Sequence, residues 1–538
     1  MLYEPHNLPQ TLTAISSNSY QVMESSSSFS SWALIAMASL AALAFLSKLL
    51  HFKSHQLKFP PGPKAWPIIG NLNLVGSHPP KSLHKLAQKY GPIMQLKIGS
   101  FPVVVASSAE MAKEFLKTHD RVFASRPKSA VGKHLVYNNF NVTWAPAGPY
   151  WHQGRKIFSE LFNSKRLNSY QYIRVEEMRA FMSRLCTLSG TGKPLKLKDH
   201  LFVHNLNIIS RVVFGKNCVS SESKNETSTV THEELLEMLD ELFFLHGVFN
   251  IGDWIPWLDF LDLQRYVMRM KALRKKFDKF LDHVLHEHNA KKEGANDFVP
   301  KDEMVNLLVQ RADDPNADTK LSYDGIKAVI QDLIAGGTDT TMTTLEWAMS
   351  ELLKQPHLIK KATEELDKVI GRDRWVEEID IPQLPYIEAI VKETMRKHPV
   401  AGLLAPHLAM QDCDVAGYKI QKGTRVFINT WSIGRDSSIW DAPEEFRPER
   451  FLGKAIDVKG QSFELLPFGS GRRMCPGYSF GLKVISSTLA NMLHGFNWKL
   501  PENMKNEDLS MDEVYGFATS RKFPLVAMME PRLPLHLY

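Results

Sequence analysis

Apolar residues recur at helical spacing through most of the chain from Lys81 onward, and strand-like patterns are confined to two regions. In the first, Ile93–Ile98 and Val103–Val105 are apolar runs on either side of a Gly-Ser turn, which predicts a hairpin. In the second, Val415–Ile420 and Thr424–Ile428 flank a Lys-Gly turn and predict another hairpin. No internal repeat is visible, so the pattern predicts one large domain, mainly α with minor β structure.

The longest apolar run lies near the amino terminus, and no charged residue occurs between Ser25 and Ser47. A helix needs about 20 apolar residues to cross a bilayer, and residues 29–50 supply them if the Lys48 side chain reaches the headgroups. Residues 1–28 contain no lysine or arginine, whereas basic residues follow the run. This asymmetry favours an uncleaved transmembrane anchor, with the bulk of the chain in the cytosol, over a cleaved secretory signal.

Met23 is a second plausible start, and residues 1–22 add polar sequence that the anchor does not need. After the anchor, residues 51–70 are basic and rich in proline, which fixes φ and removes backbone donors. This hinge is either a generic linker or a rigid spacer that sets the tilt of the following domain. The predicted organisation is a polar segment (1–28), an anchor (29–50), the hinge (51–70) and a catalytic domain (71–538).

Composition narrows the function classes. The 538 residues are 44% hydrophobic and 23% charged, an ordinary globular composition that excludes disorder as the dominant state. Lys and Arg number 65 against 58 Asp and Glu, and the net charge of +7 is too mild to indicate nucleic acid as a partner. The four cysteines are too few and too scattered for a disulfide framework, and no pair has the spacing of a zinc site.

One cysteine has unusual neighbours. In the loop from Phe468 to Gly477, glycines allow close approach to a flat ligand and two arginines could pair with carboxylates. Cys475 precedes an apolar helix predicted from Tyr478, where backbone amides and the helix dipole favour a thiolate. The loop resembles the haem-binding signature Phe-x-x-Gly-x-Arg-x-Cys-x-Gly of cytochrome P-450 monooxygenases at every fixed position. The resemblance implies a P-450-type haem domain, with Cys475 as the axial thiolate of haem b iron and Arg473 paired with a propionate.

A second motif, Ile334–Thr341, lies in the middle of a long helix predicted from Tyr323 to Lys354. Its two adjacent glycines each cost about 1 kcal/mol relative to alanine, so they need a reason. That reason is either tight helix packing or a local opening that lets a ligand lie against the backbone. The motif is similar to the family's oxygen-activation motif, which implies that Asp339 and Thr340 are catalytic and deliver protons during oxygen activation.

A third motif is Glu393-Thr394-Met395-Arg396, on a predicted helix. The apolar stripe of that helix points away from Glu393 and Arg396, so periodicity predicts an exposed pair worth under about 0.5 kcal/mol. The resemblance implies the opposite. The motif resembles the Glu-x-x-Arg of the family, whose glutamate and arginine form a buried structural triad with a second arginine, here Arg450.

Further cofactor contacts follow from the resemblance alone. Trp151 and Arg155 match a helix segment that holds the haem propionates in the family, although His152 replaces a common arginine. His407 falls where related enzymes place another propionate donor. These three residues, with Arg473 and Cys475, form the expected cofactor-binding set.

The resemblance covers about Phe59 to Pro531 and is strongest to the plant microsomal type, including homoterpene synthases and flavonoid 3′-hydroxylases. It implies a monooxygenase in the endoplasmic reticulum membrane, single-pass, with its catalytic domain in the cytosol. The alternatives are a haem-thiolate isomerase or dehydratase of hydroperoxides and a non-catalytic haem-binding protein. Thr340 and the standard length of the cysteine loop favour the monooxygenase.

A partner and a substrate class complete the expectation. No Gly-rich dinucleotide fingerprint is present, so electrons from NADPH must come through a separate NADPH–cytochrome P-450 reductase, docked against basic residues such as Lys156, Arg472 and Lys483.

The segments that would contact substrate are mainly apolar, which predicts a hydrophobic small molecule. A terpenoid alcohol is the first expectation, and a flavonoid, another phenolic or a sterol is the alternative. Hydroxylation and oxidative C–C cleavage both remain open. The segments are Val136–Trp144, Phe243–Phe249, Leu333–Thr338, Val400–Leu404 and Phe517–Thr519.

Overall fold

The computed structural model describes residues 37–39, 58–217, 230–294, 303–312 and 321–538. The chain divides into two units, Met1–Lys58 and Phe59–Tyr538, and the second contains every candidate site residue. The predicted polar segment 1–28, nearly all of the anchor 29–50 and the start of the hinge lie outside the described residues. Among the helices that are described, none is both long and apolar enough to cross a membrane.

The unit Phe59–Tyr538 is mainly helical, as the sequence predicts. The helices are α1 (Pro79–Tyr90), α2 (Ala109–Lys113), α3 (Pro149–Leu161), α4 (Ser164–Ser169), α5 (Gln171–Ser189), α6 (Leu197–Phe214), α7 (His232–Gly247), α8 (Ile251–Trp254), α9 (Tyr266–Gly294), α10 (Met304–Ala312), α11 (Tyr323–Lys354), α12 (Pro356–Val369), α13 (Pro385–Lys397), α14 (Thr430–Ile433) and α15 (Tyr478–Gly495).

Short strands form the minor β structure. They are β1 (Ile93–Ile98), β2 (Phe101–Ala106), β3 (Leu195–Lys196), β4 (His407–Leu408), β5 (Cys413–Val415), β6 (Tyr418–Ile420), β7 (Arg425–Ile428), β8 (Phe496–Lys499), β9 (Glu513–Val514), β10 (Ser520–Arg521) and β11 (Val526–Pro531). The largest sheet of the described residues has the order β1-β2-β7-β4, and β3-β11-β8 form another. β1 and β2 pair antiparallel, with Ile93 opposite Ala106, which confirms the first predicted hairpin.

The second predicted hairpin is wrong. Residues 415–420 are not one strand, because Ala416 and Gly417 have φ values of 49° and 80° and turn the chain, so that β5 pairs with β6. β7 instead runs parallel to β2 and antiparallel to β4. All of its residues are buried, so β7 satisfies its backbone groups in the interior of the larger sheet.

Helix α11 is the element around which the site is built. It begins and ends at the predicted residues, and the Ser322 hydroxyl caps it by accepting from the Gly325 amide at 3.1 Å. Most of its side chains are buried, because α6, α13 and α15 pack against it. Because neighbouring helices cover most of α11, it is held rigidly in place. A stretch of such a helix that is not covered can form a fixed wall of a cavity.

Helix α13 holds the predicted triad in the interior. Arg396 donates to Glu393 through Nε at 2.6 Å and Nη2 at 2.8 Å, and Arg450 Nε donates to the same carboxylate at 2.9 Å. The side chains of Glu393 and Arg396 are 0% exposed. The prediction of an exposed pair from periodicity is therefore wrong, and the resemblance gave the correct answer. The polar face of α13 is covered by the following loops, whose Gly434 and Pro443 carbonyls accept from Arg396.

Candidate active site

A cavity of about 320 Å³ lies beside the middle of α11 and is closed on the opposite side by the cysteine loop. Its walls are largely apolar. Helix α3, the carboxyl end of α7 and the segment before β4 complete it. Of the predicted cofactor-binding residues, all five contribute to the wall: Trp151, Arg155, His407, Arg473 and Cys475.

The cysteine loop needs its glycines. Gly469 and Gly471 have φ values of 68° and 66°, a region in which other residues are strained. A side chain on Gly471 would also overlap the Leu116 carbonyl oxygen. The loop then delivers Cys475 to the cavity wall, three residues before α15 begins at Tyr478.

The environment of Cys475 is suited to a metal-bound thiolate. Burial raises the pKa of its thiol, and the Gly477 amide and the Arg155 guanidinium oppose this only in part. Its own amide donates to the Phe468 carbonyl at 2.9 Å, and Arg155 is held by the Met474 carbonyl at 2.8 Å. A thiol buried in this way remains protonated until a cation binds its sulfur, and a metal ion then removes the proton.

Two arginines beside the cavity, the buried Arg126 and the half-buried Arg473, lack a carboxylate partner among the described residues. Arg473 donates to the carbonyls of Ala124, Val142 and Ala145 at 2.6, 3.1 and 2.6 Å. Arg126 likewise donates only to backbone carbonyls, of residues 143, 405 and 406. Burial lowers the pKa of Arg473 to about 8 and that of Arg126 to about 9. Such uncompensated cations are costly unless an anionic ligand lies between them.

Trp151 and His407 belong to the same cluster. The Trp151 indole Nε1 is buried without an acceptor, and the Arg473 guanidinium lies 4.1 Å from the centre of its ring. His407 Nδ1 bonds the Phe123 carbonyl at 2.8 Å. Burial, with Arg126 and Arg473 nearby, lowers the pKa of His407 to about 3, so the ring is neutral. An orphaned donor and unpaired guanidinium groups beside a thiol fit the carboxylates and iron of a haem.

Arg126 is the residue that sequence reasoning missed. It lies in the loop between α2 and α3, and nothing in its spacing distinguishes it from a surface arginine. Only the fold brings it to the cavity, across from Arg473. Arg472, the other arginine of the cysteine loop, contacts the Asp120 carboxylate at 3.3 Å.

The two adjacent glycines of α11 turn out to have different reasons. A side chain on Gly337 would meet Ile209 of α6 at 2.9 Å, so this glycine serves tight helix packing. A side chain on Gly336 would meet nothing within 4 Å, and this backbone forms part of the cavity wall. The Thr340 hydroxyl also faces the cavity and donates to the Gly336 carbonyl at 2.7 Å.

Asp339 occupies a different environment from Thr340. It is buried outside the cavity wall, near the ion pair in which Lys198 contacts Asp240 at 2.9 Å. Burial and the negative charge of Asp240 raise the pKa of Asp339 to about 7, against the opposing effect of Lys198. The structure therefore brings the Thr340 hydroxyl to the cavity and leaves Asp339 behind it, as a carboxyl that can change protonation near neutral pH.

These placements predict opposite effects for two alanine substitutions. Gly337→Ala should lower the free energy of unfolding by about 1–3 kcal/mol, because the new methyl group crowds Ile209. Gly336→Ala should leave stability unchanged or raise it by up to about 1 kcal/mol, because it replaces glycine in a helix without a clash. It should instead weaken ligand binding in the cavity. Urea unfolding and ligand titration of both variants test this, and equal losses of stability would contradict it.

Each segment predicted to contact substrate contributes to the cavity wall, with one correction. Gly402 is not a pocket residue, because a side chain there would point to Pro80 at 3.2 Å and Trp431 at 3.7 Å. Its neighbours Val400 and Ala401 do line the cavity, as does Leu404. In an irregular segment without a fixed period, the sequence cannot tell which residue faces inward.

Comparisons with known proteins agree with this site. A model of the cytochrome P450 family matches residues 60–525, and the chain belongs to this family. A trimethyltridecatetraene synthase from Zea mays is 45% identical, over 90% of this chain and 91% of its own. A flavonoid 3′-monooxygenase from Petunia hybrida is 42% identical, over 92% of this chain and 96% of its own. A solved zebrafish cytochrome P450 with progesterone has a TM-score of 0.71 at 26% identity, covering 84% of this chain and 99% of its own.

Family membership confirms the fold class, the resemblance and the enzyme class. The chain is a haem-dependent oxidoreductase of the P450 monooxygenase type, with haem held by a cysteine thiolate and electrons supplied by a reductase. The guanidinium groups without a carboxylate partner, the orphaned indole donor and the half-buried thiol in the cavity wall are independent physical reasons to expect that cofactor in this cavity.

Proposed function

We propose that this monooxygenase acts on a hydrophobic plant secondary metabolite, a terpenoid alcohol. It would insert one oxygen atom from O2 into this substrate or cleave it oxidatively. The observation that carries this proposal is the cavity wall, which is largely apolar and whose polar groups mostly have partners or face the proposed haem carboxylates. The buried Gln331 amide is an exception without a partner. Its one described carboxyl, Asp332, is held by the Asn141 amide at 2.9 Å and by the backbone amides of residues 142 and 143. A substrate with many polar groups would find few partners here.

Relatives favour the same substrate class. Two Zea mays relatives, at 45% and 43% identity, are named for making trimethyltridecatetraene and dimethylnonatriene, which are apolar polyenes. The flavonoid 3′-monooxygenase of Petunia hybrida supports a second candidate, a flavonoid hydroxylase, at 42% identity. The two candidates differ in the number of polar groups that the cavity must accept.

The positions of the site residues support the following proposed roles. Haem, when bound, supplies the binding and activation of dioxygen. We assign Cys475 as its thiolate ligand, and Arg473, Arg126 and Trp151 as the donors that neutralise and orient its carboxylates. Arg155 holds the cysteine loop through the Met474 carbonyl and opposes the rise in the thiol pKa. His407 lines the same cluster, but with Nδ1 bonded to the Phe123 carbonyl and a neutral ring its Nε2 is an acceptor. It would have to gain a proton to act as the predicted propionate donor.

Proton delivery is assigned to Asp339 and Thr340. The Thr340 hydroxyl is the group that reaches the cavity, and it can exchange its bond to the Gly336 carbonyl for one to a bound molecule. The pKa of Asp339, raised to about 7, lets its carboxyl hold a proton in the folded protein near neutral pH. Asp339 would return a proton to the Thr340 hydroxyl from the side of α11 that faces away from the cavity.

Thr340→Ala should retain haem and substrate binding but lose coupling of electrons to product. Without the hydroxyl, protons reach the cavity less selectively, so peroxide release rises and product per NADPH falls severalfold. Thr340→Ser keeps a hydroxyl at the same place and is the matched control. NADPH consumed, peroxide released and product formed are measured together. Unchanged coupling in the alanine variant would remove Thr340 from the relay.

The substrate wall gives a second pair of variants. Ala401→Phe should exclude bulky substrates by roughly ten- to a hundredfold, because it fills the cavity beside Leu404. Gly402→Ala is the control, since its new methyl group faces Pro80 and Trp431 instead. Turnover is measured with terpenoid alcohols and flavonoids in the presence of reductase and NADPH. Efficient flavonoid hydroxylation without terpenoid turnover would favour the second candidate.

We further propose that the chain is anchored in the endoplasmic reticulum membrane, with its catalytic domain in the cytosol. The apolar residues 29–50 support this. So do large apolar side chains on the surface, among them Trp66, Ile68 and Phe260, which are 65%, 63% and 81% exposed. Trp66 and Ile68 lie in one segment and Phe260 in another. Both segments contact the β1–β2 turn, the first through Gly70 and the second through Trp254, so the exposed apolar side chains lie on the same part of the surface.

We propose NADPH–cytochrome P-450 reductase as the partner that delivers electrons, docking near the cysteine loop. Of the three basic residues expected there, Lys156 is exposed on α3. Arg472 and Lys483 contact Asp120 at 3.3 Å and Glu378 at 2.9 Å, so docking on them competes with these ion pairs. The Arg472–Asp120 pair is partly exposed and worth about 0–1 kcal/mol, so competition there is weak. Glu378 is only 9% exposed and also pairs with Arg174, so Lys483 is held more firmly.

A further inference from the structure

His246 is a polar group of the cavity that neither haem binding nor proton delivery uses. It lies near the end of α7, and its Nδ1 bonds the Leu242 carbonyl at 2.7 Å. A carbonyl only accepts, so Nδ1 carries the hydrogen. Burial lowers the pKa of His246 to about 4, and the ring is therefore neutral at physiological pH. Its Nε2 is then an acceptor with no donor among the described residues.

The surroundings of His246 contain a matching unused donor. A smaller chamber of about 70 Å³ adjoins the main cavity, and His246 and Phe517 line both. Trp144 lines the smaller chamber, with its ring centre 5.9 Å from that of His246. Its Nε1 is buried without an acceptor. The two residues are neighbours in the wall of the smaller chamber, and an unpaired acceptor and an unpaired donor on neighbouring rings are together complementary to a hydroxyl group, which both donates and accepts.

We propose that the junction of His246 and Trp144 binds the hydroxyl group of the substrate. In this site the hydroxyl donates to His246 Nε2 and accepts from Trp144 Nε1, while the apolar remainder of the molecule fills the main cavity. The inference rests on the proposed function, because it specifies how an alcohol is chosen over a hydrocarbon of the same shape. A buried polar site rejects a ligand that leaves its groups unpaired.

The geometry also explains why the recognition is selective. The aromatic rings of Trp144, Phe517 and His246 lie within 6.0 Å of one another, centre to centre, and give the junction largely apolar surroundings. A neutral hydrogen bond in such surroundings is worth about 0.5–1.5 kcal/mol, which corresponds to about a two- to tenfold change in affinity. The junction accommodates a single hydroxyl, and further hydroxyls of a polyphenol would lie mainly against apolar wall.

The test compares three ligands of one carbon skeleton, an apolar terpenoid alcohol, its methyl ether and the parent hydrocarbon. Dissociation constants come from spectral titration and from equilibrium dialysis of the haem-loaded protein. The wild-type protein should bind the alcohol about two- to tenfold more tightly than the ether, which can accept but not donate. His246→Phe keeps a ring and removes the acceptor, so it should abolish this preference and leave hydrocarbon binding within about twofold.

Two further variants complete the design. Trp144→Phe removes only the donor and should weaken the alcohol and the ether alike, relative to the hydrocarbon. Phe517→Leu alters only apolar contact and should affect all three ligands equally. An unchanged preference for the alcohol in His246→Phe would overturn the inference. Gln331 also lines the cavity, and its buried amide lacks partners. Loss of the preference for the alcohol in Gln331→Leu would therefore overturn the inference as well. If wild-type protein binds none of the three ligands, the proposed substrate class fails first, and the inference falls with it.

Discussion

Glu393→Ala should prevent the accumulation of folded haem protein. Glu393 is wholly buried and is the shared acceptor of Arg396 and Arg450, through bonds of 2.6, 2.8 and 2.9 Å. Removing it leaves two guanidinium groups in the interior without their carboxylate. Loss of one member of a buried ion pair typically costs about 3–5 kcal/mol, a large part of the roughly 5–15 kcal/mol that stabilises an ordinary domain.

The same helix offers a matched control. Glu388 pairs with Lys392 at 2.9 Å but is 53% exposed, and Glu388→Ala should change the free energy of unfolding by less than about 0.5 kcal/mol. Expression yield, haem content and thermal unfolding are compared for both variants. Similar behaviour of the two would show that the triad is no more important to the fold than a surface pair.

Cys475→Ser should abolish the thiolate character of the haem site. A serine hydroxyl does not lose its proton as a thiol does on binding a metal, so the push of electron density toward the distal ligand is lost. The ferrous–CO spectrum of the purified variant should lack the red-shifted Soret band of a thiolate ligand. Monooxygenase turnover should fall to background.

Two other cysteines provide the control for this experiment. Cys186 and Cys413 are free and partly buried, outside the cavity wall. Serine variants of either should retain both the red-shifted band and turnover. A normal thiolate band in Cys475→Ser would contradict the assignment of the ligand.

The long helices and the local hairpin could be read from the sequence because their signals are local. Helix α11 runs from Tyr323 to Lys354 as predicted, since a serine cap and a following proline mark its ends. The pairing of β7 could not be read in this way. Its partner β2 is remote along the chain, and its partner β4 is separated from it by the hairpin of β5 and β6. The strand that precedes β7 in the sequence, β6, does not pair with it.

Burial of polar groups was the feature that periodicity described least well. The apolar stripe in the sequence of α13 shows which face of the helix is apolar. It does not show that loops also cover the polar face. Glu393 and Arg396 are buried for that reason, and the family resemblance was needed to recognise them. Arg126 had no local signal of any kind, because only its position opposite Arg473, with carbonyls as its partners, marks it as functional.

The most direct test of the account is a stoichiometric assay of the full-length protein with reductase, NADPH, dioxygen and an apolar terpenoid alcohol. NADPH and dioxygen consumed are measured together with product formed. We expect product only when all three of reductase, NADPH and dioxygen are present, with at least one NADPH and one dioxygen used per product. Conversion of a fatty-acid or terpenoid hydroperoxide without reductase, NADPH or dioxygen, and no reductase-dependent product from any apolar alcohol, would contradict it.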